Sequence, residues 1–249
     1  MIKESVSVCI ATYNGQDYIK AQVDSILKQL NIDDEIIISD DGSTDDTLNI
    51  IKNYKDNRIK IFLNNKTNKK NAFGYVSKNF ENAIINAKGN FIFLADQDDI
   101  WEDDKIQVCR KVLENNDLVL HDCRVVNKDN QELFSSYFKL NKSRQGILKN
   151  LVKNSYLGCC MAFRRSVLDF ALPFPQKEVP HDIWLGLIAE CFGKVQFLNK
   201  KLVGYRRHGN NLSASGERSS NNLFFKLKYR LIILTELLIR VVHIKSRLR

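Results

Sequence analysis

The apolar positions of this chain fall into short blocks that alternate between two spacings. Ser5–Ala11 (SVSVCIA), Glu35–Ser39 (EIIIS), Arg58–Leu63 (RIKIFL) and Asn90–Ala95 (NFIFLA) are compact apolar runs between polar turns. That is the pattern of strands in a sheet covered on both faces. Between them, Asp17–Leu30, Thr44–Tyr54 and Ser77–Ala87 read as helices. Ser43 or Thr44 is the expected N-cap of the second, with Asp45 and Asp46 in its first turn, and Gly89 the stop of the third. A helix near Lys105–Asn115 and a strand at Leu118–Val126 follow. Four strand–helix units in succession predict an α/β fold with a parallel sheet and helices on both faces.

The second half is less regular. Ser155–Phe163 reads as a strand preceded by a short helix, and His181–Phe192 as a buried helix entered through Pro180. KVQFL and KLVGYRRH read as two short strands. Asn222–Arg249 reads as one long helix, with Leu227, Leu231, Leu234, Leu238 and Val241 on one face and Glu236, Arg240, His243 and Arg247 opposite. Charge interrupts it too often for a bilayer span. It suits either a helix lying on anionic lipid or one packed on the domain or in a dimer.

Composition narrows the class. A length of 249 residues fits one large α/β domain or two small ones. The net charge of +9 raises a nucleic-acid reading, but its distribution weakens it. Lys226, Lys228, Arg230, Arg240, Lys245, Arg247 and Arg249 face a single acid, Glu236, so the excess lies in one element rather than across a binding face. The six cysteines form no CxxC pair, and no signal-peptide pattern precedes the first strand, so a reducing, cytoplasmic setting is expected. Neither GxGxxG nor GxxxxGK[ST] occurs, which removes the commonest dinucleotide and P-loop sites.

In open α/β sheets ligands bind beyond the carboxyl ends of the strands. Here those ends are ATYNG, SDDGSTDD and ADQDD, all polar. In FIFLADQDDIW an apolar run ends in Asp96, Asp98 and Asp99. Carboxylates this close repel, and each loses hydration at the edge of a core. A divalent cation among them is one resolution; a solvated turn with Asp98 or Asp99 capping the next helix is the other.

Taken together, SVCIATYNGQDYI, EIIISDDGSTDDT, FLADQDDIW, HDIWLGLIA and YRRHGNN closely resemble glycosyltransferase family 2, with its GT-A fold. The spacing of HDIWL and YRRHGNN looks most like rhamnosyltransferase-type members that build bacterial surface polysaccharides. The resemblance runs from about Ser5 to Asn211, and its specificity lies in the order of the motifs rather than in any one of them.

It implies a mostly parallel, Rossmann-like nucleotide-binding sheet with helices on both faces, plus a C-terminal amphipathic helix. The catalytic domain would be residues 1–215, with 1–122 the donor-nucleotide half and 123–215 the acceptor half, and 216–249 a basic tail. By resemblance Thr12, Tyr13 and Asn14 hold the nucleotide, and Asp40, with Asp41 beside it, accepts from the base. Asp96 reaches the ribose or a metal-bound water. Asp98 and His208 are the metal positions, for Mg2+ or Mn2+. Asp182 is the general base of a single inverting displacement, with His181 where the family often has an acid. Arg206 and Arg207 are phosphate candidates, and Trp184 and Gly158 line the acceptor side.

Blander readings stand beside these: Tyr13 or Trp184 as core aromatics, Asp182 as an N-cap, and Arg207 as a loop charge. The implied donor is dTDP-rhamnose first, or a UDP-sugar. The acceptor is a glycan or lipid-linked oligosaccharide, and the enzyme would sit on the inner face of the cytoplasmic membrane through its tail, with no nucleic-acid partner and its oligomeric state open. Rival classes are a nucleotidyltransferase or phosphohydrolase on the same acidic rim, and a non-catalytic basic module.

Overall fold

Every backbone group of a strand with helices on both sides must be paired within the sheet, and the apolar runs are placed accordingly. The computed structural model describes residues 4–64, 72–177, 179–208 and 223–247. Its elements are β1 (Val6–Thr12), α1 (Ile19–Leu27), β2 (Glu35–Asp40), α2 (Thr47–Lys52), β3 (Ile59–Leu63), α3 (Ala72–Asn86), β4 (Phe91–Asp96), β5 (Ile100–Trp101) and α4 (Lys105–Leu113). They continue with β6 (Leu118–Val126), β7 (Glu132–Phe134), α5 (Tyr137–Asn141), α6 (Ile147–Val152), β8 (Met161–Arg164), α7 (Leu168–Ala171), α8 (His181–Phe192), β9 (Val195–Arg206) and α9 (Leu223–Arg247).

The strands form one sheet in the order β3-β2-β1-β4-β8-β6-β9-β5, with β7 on β6. β3, β2, β1 and β4 are parallel, and β8 joins β4 to β6 by antiparallel pairing. β1 lies between β2 and β4, so the chain reverses its direction of travel across the sheet at β1 and opens a crevice there. The register sets Thr12 beside Asp40 and Ala11 beside Asp96, which gathers three of the polar strand ends at that crevice. The core is continuous, from Val8 and Ile10 in β1 through Phe93 in β4 to Trp184 and Leu187 in α8.

Several elements differ from the sequence expectation. α2 starts at Thr47 with Asp46 as N-cap, rather than at Ser43 or Thr44. Ser43 Oγ donates to Asp40 and Thr44 N to Asn14, so these residues tie the loop to β1 and β2 instead of capping. Gly158–Cys160 is a 3-10 turn, and the strand expected from Ser155 begins only at Met161. The two strands expected after α8 are one, β9, which runs parallel to β6 with register shifts. Gly89 lies past the end of α3, where a side chain would meet Ser7 N at 2.5 Å; it is required by close approach to β1. The division expected at residue 122 falls inside β6, so the sheet is continuous there; residue 215 lies outside the described residues.

α9 also docks differently. Ile233, Leu237 and Ile244 are buried against the domain, while Leu227, Leu231 and Leu238 face outward. The stripe expected to be solvated is partly turned inward: Glu236 pairs with Lys177 at 2.9 Å, and the Arg240 guanidinium lies 5.1 Å from the Trp184 ring. Arg240 also donates to the carbonyls of Phe170, Leu172 and Pro173, left open where α7 ends.

Candidate active site

The β1–α1 and β2–α2 loops are laced together by side chains the sequence marked as nucleotide contacts. Asp40 is fully buried. Its Oδ2 accepts from Thr12 Oγ1 (2.8 Å) and Ser43 Oγ (2.6 Å), and its Oδ1 from the amides of Gly42 (3.0 Å) and Ser43 (2.8 Å). Gly42 makes this turn with φ of 78°. Asp40 therefore has no oxygen turned to a ligand; the half-buried carboxylate at this strand end is Asp41, whose Oδ1 accepts from Asn64 Nδ2. Asn14, at φ 47°, accepts from Thr44 N at 2.8 Å and donates its own N–H to Ser43 Oγ. Tyr13 is 51% exposed, which excludes the core reading. Its backbone is clamped on both sides by Gln97, which accepts from Tyr13 N (2.9 Å) and donates to Tyr13 O (3.1 Å).

The acidic segment after β4 is held by β9. Arg206 is buried, donating Nε to Asp98 O (2.7 Å) and Nη1 to Lys128 O (2.6 Å), while its own N–H reaches Asp99 Oδ1 (2.8 Å). Its guanidinium is thus bound to carbonyls and stacked near Tyr18, at 5.0 Å, which corrects its expected role as a phosphate contact. Arg207 anchors by its backbone to Val126 O at 2.7 Å, with a half-buried side chain. His208 Nε2 meets Asp98 Oδ2 at 2.7 Å, and its ring stacks on Tyr18 with centroids 4.9 Å apart. The residues of YRRHGNN beyond His208 lie outside the described residues.

Neither Asp98 nor Asp99 caps a helix, since α4 is entered at Asp104. Asp99 is fully buried, and its Oδ2 makes no hydrogen bond. Asp96, Asp99 and Cys159 bring two carboxylate oxygens and a sulfur within 4.8 Å of one another. Burial, together with the charges of Asp98 and Asp182, pushes the Asp96 carboxyl up to about 7. These acids are disfavoured as anions unless something positive joins them, which is the behaviour expected of a cation site. Asp98 Oδ2 and His208 Nε2, hydrogen-bonded at 2.7 Å, are a carboxylate oxygen and an imidazole nitrogen, atoms of the types that would hold a divalent cation. Asp99 and Cys159 have no exposed surface, whereas Asp96, Asp98 and His208 are half-buried, so the atoms that could hold a cation at the crevice are on these three.

One further carboxylate beside the rim comes from α8. Pro180 is the N-cap, so Asp182 lies in the first turn rather than capping it, and accepts from Ile183 N at 2.7 Å. Burial raises its carboxyl to about 6, with Asn154 and the Ile183 amide as opposing hydrogen-bond donors. His181 stacks on Phe80 with centroids 4.1 Å apart; burial pulls it down to about 3, so it is a neutral imidazole. Its Nε2 has no partner and presses on Gly158, where a Cβ would sit 2.8 Å away. Trp184 is buried, and its Nε1 donates to Ala171 O at 2.9 Å: it is core, not acceptor wall.

Sequence reasoning missed Gln97 and Asn154 and read Ser43 as a helix cap rather than as the tie between Asn14 and Asp40. Gln97 stands between Asp96 and Asp98, and the other two are polar loop residues; only the fold shows what they tie together. A cleft of about 720 Å³ beside α6, with Gln145, Lys149, Glu190 and Lys194 in its walls, is lined by none of the rim residues.

A curled sheet that is parallel where it carries the acidic strand ends, with one further acid delivered by a later helix, is the GT-A arrangement of nucleotide-sugar transferases. The fold matches S. aureus TarS 1–349 in complex with UDP-GlcNAc, at a TM-score of 0.69 over 92% of this chain and 20% identity. The chain spans 66% of that chain, and 60% of another structure of the same fragment. Residues 7–170 match the description of glycosyl transferase family 2, and the chain belongs to that family: it is a glycosyltransferase. It is 33% identical over 219 residues to an Escherichia coli protein named UDP-Glc:alpha-D-GlcNAc-diphosphoundecaprenol beta-1,3-glucosyltransferase WfaP, covering 85% of this chain and 81% of the other. It is 30% identical over 241 residues to the Shigella flexneri dTDP-rhamnosyl transferase RfbG, covering 89% and 77%.

Proposed function

We propose that this glycosyltransferase moves a sugar from a pyrimidine nucleoside-diphosphate donor to a hydroxyl of a lipid-linked glycan, in bacterial surface polysaccharide assembly. The observation that carries the reading is the meeting of two kinds of acid on one rim. Asp96, at the end of β4, has Cys159 within 4.8 Å, and the neighbouring Gly158 packs on His181, next to Asp182 at the start of α8; the charge of Asp182 accordingly helps to raise Asp96. One belongs to the donor side and the other is a base held near neutrality. The names of the two relatives support the acceptor class and divide the donor between UDP-glucose and dTDP-rhamnose. Rhamnose, the first choice by family resemblance, appears in the name of one of them.

Residues 1–215 act as the catalytic domain. Asp41, with Tyr13 and Thr12 behind it, faces the pyrimidine and ribose; Asp40 shapes the turn that presents them. Asp98 and His208, with Asp96 adjacent, would hold Mg2+ or Mn2+, which when bound offsets the charge of the diphosphate leaving group. Asp182 accepts the proton of the acceptor hydroxyl as that oxygen attacks the anomeric carbon, and the bond to the diphosphate oxygen breaks on the opposite face. A carboxyl near 6 is ionised at neutral pH yet more basic than an ordinary aspartate. His181, neutral and packed on Gly158, fixes the entry of α8 and so the place of Asp182. The enzyme works in the cytoplasm at the membrane surface.

The test is thermal stabilisation by UDP, dTDP, GDP and CDP, each with and without Mn2+. A ligand selective for the native state raises the melting temperature with its affinity and concentration. Mn2+-dependent stabilisation by UDP or dTDP is expected, and the preference between them selects the donor. No response to any nucleotide with Mn2+ overturns the donor site.

A further inference from the structure

We propose that α6 and α9 together form a docking surface for an anionic lipid membrane, beside the catalytic base. The proposal deepens the function above and rests on its lipid-linked acceptor. α9 is apolar on two sides. The inner side is packed through Ile233, Leu237 and Ile244. On the other side Phe224, Leu227, Leu231, Leu238 and Val242 follow one another at three-, four- and seven-residue steps, which keeps them on a single stripe. Phe224 is 76% exposed, Leu231 64% and Val242 66%.

α6 extends this stripe. Leu148 and Val152, one turn apart, are 79% and 64% exposed. Arg230 of α9 donates to Val152 O at 2.6 Å, which joins the end of α6 to α9 and sets the two apolar sets edge to edge. Among the described residues no helix is long and apolar enough to cross a membrane, so the surface lies on one.

Charge identifies the occupant. Between Glu132 and Asp169 the chain has no acid, but it has Lys139, Lys142, Arg144, Lys149 and Lys153. On α9, Lys228, Lys245 and Arg247 are exposed, and the lone acid Glu236 is turned inward to Lys177. An apolar stripe edged by cations matches acyl chains below anionic headgroups. A second copy of this chain would set like charges against each other.

The position matters for the acceptor. α9 packs on α8, which carries Asp182 in its first turn, and Tyr229 on the inner side of α9 lies within reach of the Asp182 charge. Packed helices are about 8–10 Å apart, so the base is roughly one helix from the lipid surface. The hydroxyl that reacts is then on a sugar close to the lipid diphosphate, rather than at the far end of a long polymer.

The experiment is co-sedimentation of the full chain with phosphatidylcholine vesicles, alone or mixed with phosphatidylglycerol. Leu148→Glu in α6 and Leu231→Glu in α9 are the variants; both side chains are exposed, so the fold tolerates them. Expected are binding to the mixed vesicles that weakens with salt, and partitioning at least about tenfold weaker for each variant. Wild-type binding by Leu148→Glu overturns the composite surface. Failure of the wild type to sediment, or a dimer in light scattering that Leu231→Glu dissolves, overturns the lipid occupant. Stabilisation by UDP or dTDP with Mn2+, measured on the same samples, separates loss of docking from loss of the donor site.

Discussion

Asp40 and Asp41 are adjacent acids to which the proposed function gives opposite duties, and substitution separates them. Asp40 has no exposed surface, and both oxygens are filled by four donors from Thr12, Gly42 and Ser43. Hydrogen bonds to a charged group contribute about 1.5–3 kcal/mol each, and removing the acceptor strands its buried donors. Asp40→Ala loses them all. The Thr12 and Ser43 hydroxyls can turn to other acceptors, which leaves a net loss of about 3–5 kcal/mol. For a chain of this size 1 kcal/mol moves the melting temperature by about 2–4 °C, so a fall of about 6–20 °C is expected in a nucleotide-free melt. Asp41→Ala gives up a hydrogen bond to Asn64 at a half-buried position, and should melt within about 4 °C of the wild type. Its loss appears on adding UDP or dTDP with Mn2+, where affinity should fall at least about tenfold. If Asp40→Ala melts like the wild type yet no longer responds to nucleotide, the assignment is reversed and the reasoning from saturated hydrogen bonds fails.

Other outcomes follow from the same geometry. Asp182→Asn should reduce transfer at least about a hundredfold, with nucleotide stabilisation retained, as loss of a general base requires. Because burial raises Asp182 to about 6 and the base must be ionised, the transfer rate should climb through about pH 6 and level off above it; a rate flat from pH 5 to 8 would assign the base elsewhere. Asp96 is raised to about 7, so without metal it favours the protonated form in the folded state. Its contribution to stability is complete below the ordinary carboxylate value of about 4 and is lost as pH rises to about 7. Metal-free wild type should therefore lose more stability between pH 5 and 8 than Asp96→Asn does, and Mn2+ should restore it. Gly158→Ala would place a methyl 2.8 Å from His181 Nε2, whose ring is fixed on Phe80, so a loss of about 1–3 kcal/mol is expected in denaturant melts.

The donor half of the fold was legible because β1, β2 and β4 are buried on both faces and so announce themselves as apolar runs, Phe91–Leu94 being the clearest case, while β3 at the sheet edge is half-buried yet keeps alternate apolar positions. The acidic rim was legible because the strand ends of an α/β sheet have a fixed place. What was not legible depends on partners distant in sequence. Arg206 reads as a phosphate ligand until the carbonyls of Asp98 and Lys128 are found around its guanidinium. Trp184 reads as an acceptor wall until its indole meets Ala171 O. Asp40 and Asp41 cannot be ranked by pattern, because what differs between them is which neighbours fill their oxygens. Periodicity found α9, but an amphipathic helix with apolar residues on two sides does not say which side docks. That was decided by the open carbonyls after α7, which take Arg240.

The net charge of +9 conceals a separation that bears on the mechanism. Asp41, Asp96, Asp98 and Asp182 lie on or beside one rim, and the guanidinium of Arg206, which holds the acidic segment, is bound to carbonyls. A free nucleoside diphosphate approaching such a rim meets like charge at short range, where repulsion at an effective dielectric of about 20 amounts to several kcal/mol. On the proposed reading the diphosphate is accommodated only with its cation, so nucleotide affinity and metal affinity must rise together. Away from that rim, beyond α8, α6 carries the exposed Lys149 and α9 the exposed Lys228, Lys245 and Arg247. On the same reading one molecule would present an acidic crevice to the donor and a basic, apolar face to the membrane, with Asp182 between the two.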